Sequence, residues 1–173
     1  MEKAHQVCLE MLEQREYSII EDEPDRIIAL KPNNKQMIVF FSDTPKFNVK
    51  NIQVYISIMN DLEIFHAIII YQDGVTSFTK KTIDQSLEMY FELFAVEDLQ
   101  YNITKHSLQP TFERLPPKDA TQFKKDFGLK FGTMKSDDPI SLFYDYTKGD
   151  VIRISRQSKH SKTPYITYRI VKG

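Results

Sequence analysis

His66-Ala67-Ile68-Ile69-Ile70-Tyr71 is a short, unbroken apolar run closed by the turn signal Asp73-Gly74. A run of this length fits a strand buried on both faces, the kind found in the middle of a sheet covered by helices. Upstream, Arg26 to Leu30 and Met37 to Phe41 read as partner strands, bounded by the turn residues Pro32-Asn33-Asn34 and Ser42-Asp43-Thr44-Pro45. Residues 52 to 58 alternate, with Ile52, Val54, Ile56 and Ile58 on one face, and predict a further strand. Ala4, Val7, Cys8, Met11 and Leu12 follow the spacing of one helix face over residues 3 to 16, with Glu10, Glu13 and Gln14 turned outward. Residues 84 to 94 place Leu87, Tyr90, Phe91 and Phe94 on one helical face and predict a second helix over the sheet. The first half is therefore expected to be a mixed sheet flanked by helices.

The texture changes after Tyr101. Pro110, Pro116 and Pro117 fall close together, and a helix is predicted from Lys118 to Phe127, with Ala120, Phe123 and Phe127 inward and Gly128 as its stop. A shorter helix starts at Asp138-Pro139: Asp138 can accept a backbone N–H as N-cap, and Pro139 has no N–H to waste in the first turn. Two alternating strands, Asp150 to Arg156 and Tyr165 to Val171, end the chain, joined by the polar stretch from Gln157 to Pro164. Charge divides at the same place. Residues 1–101 hold 9 Lys/Arg against 17 Asp/Glu, a net of −8, and residues 102–173 hold 14 against 7, a net of +7. Such a split suggests two modules with different partners. The expected fold class is thus α+β or α/β, with domains 1–101 and 102–173.

With 173 residues, 41% of them hydrophobic, the chain can bury one fair core or two small ones. No apolar run approaches the roughly 20 residues a membrane helix needs, and no signal peptide or anchor is expected. Cys8 is the single cysteine, so an internal disulfide is impossible, which suits a reducing compartment.

Several chemistries lack their residues. The five glycines show no phosphate-binding spacing, and no serine sits in a glycine-flanked elbow. His5, His66, His106 and His160 are scattered, without the spacing of metal ligands, and read as structural or solvent-facing. A metal-dependent nuclease needs acids and lysines at strand ends to hold Mg²⁺; Met37 to Phe41 is wholly apolar, and Asp43 beyond it reads as a turn residue. No catalytic residue, metal or cofactor is expected.

Asn102-Ile103-Thr104-Lys105-His106-Ser107-Leu108-Gln109-Pro110, followed by Arg114-Leu115, closely resembles the N-I-T-x-H-x-L-x-P junction in the fifth-largest subunit shared by eukaryotic nuclear RNA polymerases. Further on, Asp138-Pro139, the strand from Lys148 to Arg156 (K-G-D-V-I-R-I-S-R) and Tyr168-Arg169 are similar to the ordered motifs of that family's assembly domain, which archaeal RNA polymerases carry as a separate small polypeptide. The first half is collinear but less alike: Glu10 to Tyr17 resembles the family's opening helix, and Ala67 to Gln72 a central strand of its jaw domain. Three departures stand out. Phe131-Gly132-Thr133-Met134 replaces Leu-Pro-[RK]-Ile, Thr76-Ser77-Phe78 replaces a Thr-Pro-Ser loop near downstream DNA, and Ser158-Lys159-His160 replaces Ser-Glu-Thr in a longer loop. Together with the short jaw they suggest a virus-encoded copy.

The resemblance implies a non-catalytic subunit: a nuclease-like jaw domain without an active site over 1–101, flanking downstream duplex DNA, and an assembly domain over 102–173, docking on the largest polymerase subunit. It implies partner contacts at His106, Leu108, Pro110, Asp138, Pro139, Gly149, Arg153, Arg156, Tyr165, Tyr168 and Arg169. DNA-proximal positions would be Asp73, Gly74, Thr76, Ser77, Lys80 and Lys81. One copy per complex is implied, with no homo-oligomer and no membrane partner, in a nucleus if cellular or in a viral factory or virion if virus-encoded. Turn, cap and core roles would account equally well for Pro110, Gly149, Asp138 and Tyr168. Arg153 and Arg156 alternate onto opposite faces, so one partner would meet only one of them. The alternative is a free-standing nucleic-acid-binding protein, since Lys148 to Lys172 holds seven basic residues and one acid.

Overall fold

The computed structural model describes residues 1–128, 130–157, 163 and 165–173, so Ser158, Lys159, His160 and Pro164 of the joining stretch lie outside the described residues. The chain divides into two units, Met1–Tyr101 and Asn102–Gly173. In the first, a helix (α1, Glu2–Gln14) buries Ala4, Val7, Cys8, Met11 and Leu12. Strands β1 (Ser18–Asp22), β2 (Arg26–Leu30) and β3 (Gln36–Phe41) follow as an antiparallel meander, and β5 (His66–Tyr71) and β7 (Tyr90–Ala95) add in parallel, giving the order β1-β2-β3-β5-β7. A bulge at Ile20 shifts the register of edge strand β1.

Joining parallel β3 to β5 requires a crossover, and it is built from the two-residue strand β4 (Lys46–Phe47) and a helix, α2 (Val49–Asp61). This overturns the strand predicted for Ile52–Ile58. Asn48 caps the helix, accepting the Lys50 N–H at 2.9 Å, while the Asn51 side chain accepts the Asn48 N–H at 3.1 Å. Ile52 and Met59, two helical turns apart, face the core, and Val54 is 58% exposed. The next crossover repeats the design with β6 (Gly74–Val75), paired in parallel with β4, and α3 (Ser77–Asp84). Both crossovers step in one direction across the sheet, so right-handed connections put α2 and α3 on the same face.

That second crossover corrects the helix predicted for residues 84–94. The helix lies earlier, at Ser77–Asp84, and Tyr90–Ala95 is a strand, with Leu87 99% exposed between them. Parallel pairing with β5 supplies its partner hydrogen bonds, and alternation sends Phe91 and Leu93 toward α2 and α3. The sheet is sandwiched. Ile28, Ile38, Phe40, Ala67 and Ile69 meet Ile52, Met59 and Ile83 of the two helices, while the His5 ring of α1 packs at a tilt against Phe41 of the opposite face at 4.7 Å. Each fully buried isoleucine here is worth ~1.5–3 kcal/mol of transfer free energy.

The second unit begins with a short 3-10 turn (Ile103–Lys105) capped by Asn102, whose side chain accepts the Thr104 N–H at 3.0 Å. It holds a four-stranded sheet in the order β8 (Thr111–Arg114), β10 (Val151–Arg156), β11 (Tyr165–Lys172), β9 (Gly132–Lys135). Helix α5 (Pro139–Phe143) closes one face, where Met134, Ile140, Tyr146, Ile152, Ile154 and Val171 form the core. On the other face lies α4 (Pro117–Phe127), anchored by Phe123 against Tyr168 at 4.4 Å. Phe127, predicted to point inward, is 68% exposed, with its ring beside that of Phe123 at 4.7 Å. Phe127 is the last residue of α4, one turn beyond Phe123, and Gly128, at φ +69°, ends the helix there.

Candidate functional site

The residues the sequence put forward for partner binding separate into three groups. Leu108, Pro110, Arg156 and Tyr165 come together, lining a groove of about 540 Å³ with Thr111 and Ser155 among their neighbours. Arg156 and Tyr165 face each other across β10 and β11, and Leu108 stands 76% exposed on the turn before β8. His106 fixes that turn: its Nδ1 accepts the Leu108 N–H at 3.2 Å and its carbonyl accepts the Gln109 N–H at 2.8 Å.

Arg153 and Tyr168 are paired across the same strands but on the opposite face. Arg153 Nη1 reaches Glu113 Oε2 at 3.3 Å, and Tyr168 is half-buried against Phe123. Arg169 lies outward along β9, its Nη1 donating to the Thr133 carbonyl at 3.5 Å.

Asp138, Pro139 and Gly149 have roles inside the fold. Asp138 Oδ1 accepts the Ile140 N–H at 2.9 Å and Pro139 opens α5. Gly149 adopts φ +96°, a region where other residues are strained, and its carbonyl accepts Lys124 Nζ at 2.6 Å. Nearby, Arg114 donates to the Asp145 carbonyl, pairs with Asp150 at 3.1 Å and stacks over Tyr146. Burial pushes the Tyr146 hydroxyl well above the ordinary tyrosine range, helped by Tyr144 beside it.

In the first unit the proposed DNA-proximal residues cluster where the two crossovers begin. Gly74 pairs with Lys46, the Asp73 N–H donates to the Pro45 carbonyl at 3.1 Å, and the Thr76 side chain caps α3 by accepting the Thr79 N–H at 3.2 Å. Ser77, Lys80 and Lys81 are exposed on that helix. The sequence reading missed two companions, Lys46 beside Gly74 and Lys50 in the first turn of α2, both exposed. Their signal was the capping pair Asn48 and Asn51, which places a helix start next to the other one.

A buried charge cluster was also missed. Arg15, at the end of α1, forms a two-pronged ion pair with Glu92 of β7 at 2.9 and 2.7 Å, and His66 Nε2 lies 2.8 Å from the same carboxylate. Burial alone would raise the Glu92 pKa; the His66 hydrogen bond and the Arg15 guanidinium overcome it and hold the group below the usual carboxylate range. All three sit on the α1 face of the sheet. The acid in the middle of Tyr90-Phe91-Glu92-Leu93-Phe94 was the available sign.

The geometry describes a two-unit α+β protein in which a helix-covered mixed sheet is followed by a smaller, more open sheet. Residues 101–171 match the family model described as RNA polymerase Rpb5, C-terminal domain. Over 98% of its length the chain is 32% identical to 98% of a protein of Invertebrate iridescent virus 6 described as a DNA-directed RNA polymerase subunit. It is also 31% identical, over 94% of its length, to 92% of the rpabc1 subunit of DNA-directed RNA polymerases I, II, and III of Dictyostelium discoideum. The corresponding Caenorhabditis elegans subunit is 31% identical over 79% of the chain and 66% of that protein. The chain belongs to the Rpb5/RPABC1 family of RNA polymerase subunits and is a non-catalytic member of it. No helix among the described residues is long and apolar enough to cross a membrane.

Proposed function

We propose that the second unit is the assembly domain, docking the chain on the largest subunit of a DNA-directed RNA polymerase, and that the first is a jaw, nuclease-like in outline, flanking downstream duplex DNA. One copy serves each complex, in a nucleus or, for a virus-encoded chain, a viral factory or virion. The observation that carries the docking reading is the groove around Leu108, Pro110, Arg156 and Tyr165: residues from three separate segments, all exposed or half-buried, meet at one end of the sheet. Groups that serve only the core would be covered. The DNA reading is supported by four exposed lysines on the two crossovers, Lys46 and Lys50 at the start of the first and Lys80 and Lys81 along α3 of the second.

Affinity purification of a tagged chain tests docking, with the largest polymerase subunit expected among the captured proteins; its absence refutes the reading. Tight, salt-sensitive binding of duplex DNA by the chain alone would favour a free-standing nucleic-acid-binding protein instead. For the jaw, Lys80→Glu with Lys81→Glu is expected to weaken promoter opening and elongation by the assembled enzyme, and unchanged transcription removes that contact.

A further inference from the structure

Of the arginines in the second unit, those that serve the fold are held. Arg114 pairs with Asp150 at 3.1 Å, Arg153 with Glu113 at 3.3 Å, and Arg169 lies on the Thr133 carbonyl. Arg156 differs. It is exposed, no acid pairs with it among the described residues, and it is the one charged side chain in the described lining of the groove.

Apolar surface surrounds that cation. Leu108 is 76% exposed and Tyr165 50%, and half-buried Pro110 lines the groove with them. Leu108 is not left outward by a slack loop, since the His106 ring and carbonyl hold the Leu108 and Gln109 N–H groups. A rigid leucine and a tyrosine beside an unpaired guanidinium offer an apolar seat and a charge seat side by side. The surrounding unit carries a net charge of +7, which favours a negative occupant at longer range.

We infer that this groove receives an extended, acidic and apolar segment of a partner polypeptide, with a carboxylate on the Arg156 guanidinium and an aliphatic or aromatic side chain between Leu108 and Tyr165. The inference rests on the docking reading above and adds the chemistry of the segment that docks. Guanidinium and carboxylate match as a two-pronged, charge-assisted pair, which sets the register of the apolar anchor. An extended segment also has somewhere to continue: Thr111 borders the groove and opens β8, the outer strand of its sheet among the described residues, whose second edge can take a further strand. Nucleic acid fits less well. A phosphate track needs several cations in sequence, the described lining supplies one, and Leu108 has nothing to gain from a phosphodiester.

The test uses the full chain within its polymerase complex, with a photo-crosslinking amino acid in place of Leu108 and, separately, of Tyr165. The expected cross-link lies in a polymerase-subunit segment carrying Asp or Glu beside an aliphatic or aromatic residue. A synthetic peptide of that segment should bind the purified chain, Arg156→Glu should weaken binding about tenfold or more, and exchanging the peptide's acid for Lys should restore binding to that variant. Leu108→Asp, also at an exposed position, should weaken binding with no change in circular dichroism. Cross-links to nucleic acid, to a segment without an acid, or to nothing, in a chain that still travels with the polymerase, overturn the inference and leave docking intact. A chain that never travels with the polymerase overturns both.

Discussion

The two units solve the problem of covering a sheet in different ways. In Met1–Tyr101 helices close both faces of the sheet, and Ile38, Ile68, Ile69 and Ile70 of its central strands are fully buried. In Asn102–Gly173 the core lies on the α5 face, while on the opposite face Val151, Ile170 and Tyr168 are covered and Ile166 remains 42% exposed. Charge follows the same division, with a net −8 over the first 101 residues and +7 over the rest. A sheet covered on both faces is complete as it stands, whereas one with apolar side chains held at its rim gains stability when something covers them. Mutations in the first unit's interior should therefore act most on stability, and those at the second unit's rim on association.

The largest effect is expected where that contrast is sharpest, in the buried charges. Glu92→Ala removes the carboxylate that pairs with the buried Arg15 guanidinium and His66 and should cost about 3–5 kcal/mol, read as lost hydrogen-exchange protection in β3 and β5. The same carboxylate makes the first unit acid-sensitive. Its folded pKa lies below the unfolded value of 4.5, so its contribution is complete above about pH 4.5 and is lost as pH falls through the folded value. Glu92→Gln should flatten the acid limb of the stability curve; an unchanged limb would place the acid sensitivity elsewhere.

Ile152→Ala, in the core of the second unit, should cost about 2–5 kcal/mol in urea unfolding. A loss confined to peptides from residues 102–173 in hydrogen exchange would show that the units unfold separately, and a loss spread over both would show that they unfold as one. Removing the α2 cap with Asn48→Ala should cost about 1 kcal/mol. Leu108→Ala is expected to change stability by less than ~0.5 kcal/mol while reducing capture of the polymerase. A large stability loss there would move Leu108 from the rim to the core.

Much of this architecture could be read from local patterns. The five apolar positions of α1, the buried run of β5 and the Asp138-Pro139 helix start all follow from spacing or from a single capping side chain. Two segments could not be read by period alone. Ile52, Ile56 and Met59 satisfy a helical repeat, yet Ile52, Val54, Ile56 and Ile58 also alternate, and β-branched residues favour the strand reading until the Asn48 cap is recognised. Tyr90–Ala95 is the converse: its pairing with β5 is a long-range contact, and its aromatic residues fall by chance on a helical stripe. Within the candidate site, the sequence motifs named Leu108, Pro110, Arg156 and Tyr165, but not that they share one groove, since 54 residues separate Tyr165 from Thr111. The Arg15–Glu92–His66 cluster was hidden for the same reason, with 77 residues between the two halves of its ion pair.

Cys8 carries a practical consequence. It is wholly covered on the inner face of α1, and burial pushes its thiol up to about 12, so almost no thiolate forms at neutral pH. The folded chain is therefore blind to alkylating dyes. A single cysteine substituted for Leu108, or in a separate variant for Lys80, would take a fluorophore at that site alone, so either unit could be followed during assembly with no further change to the protein.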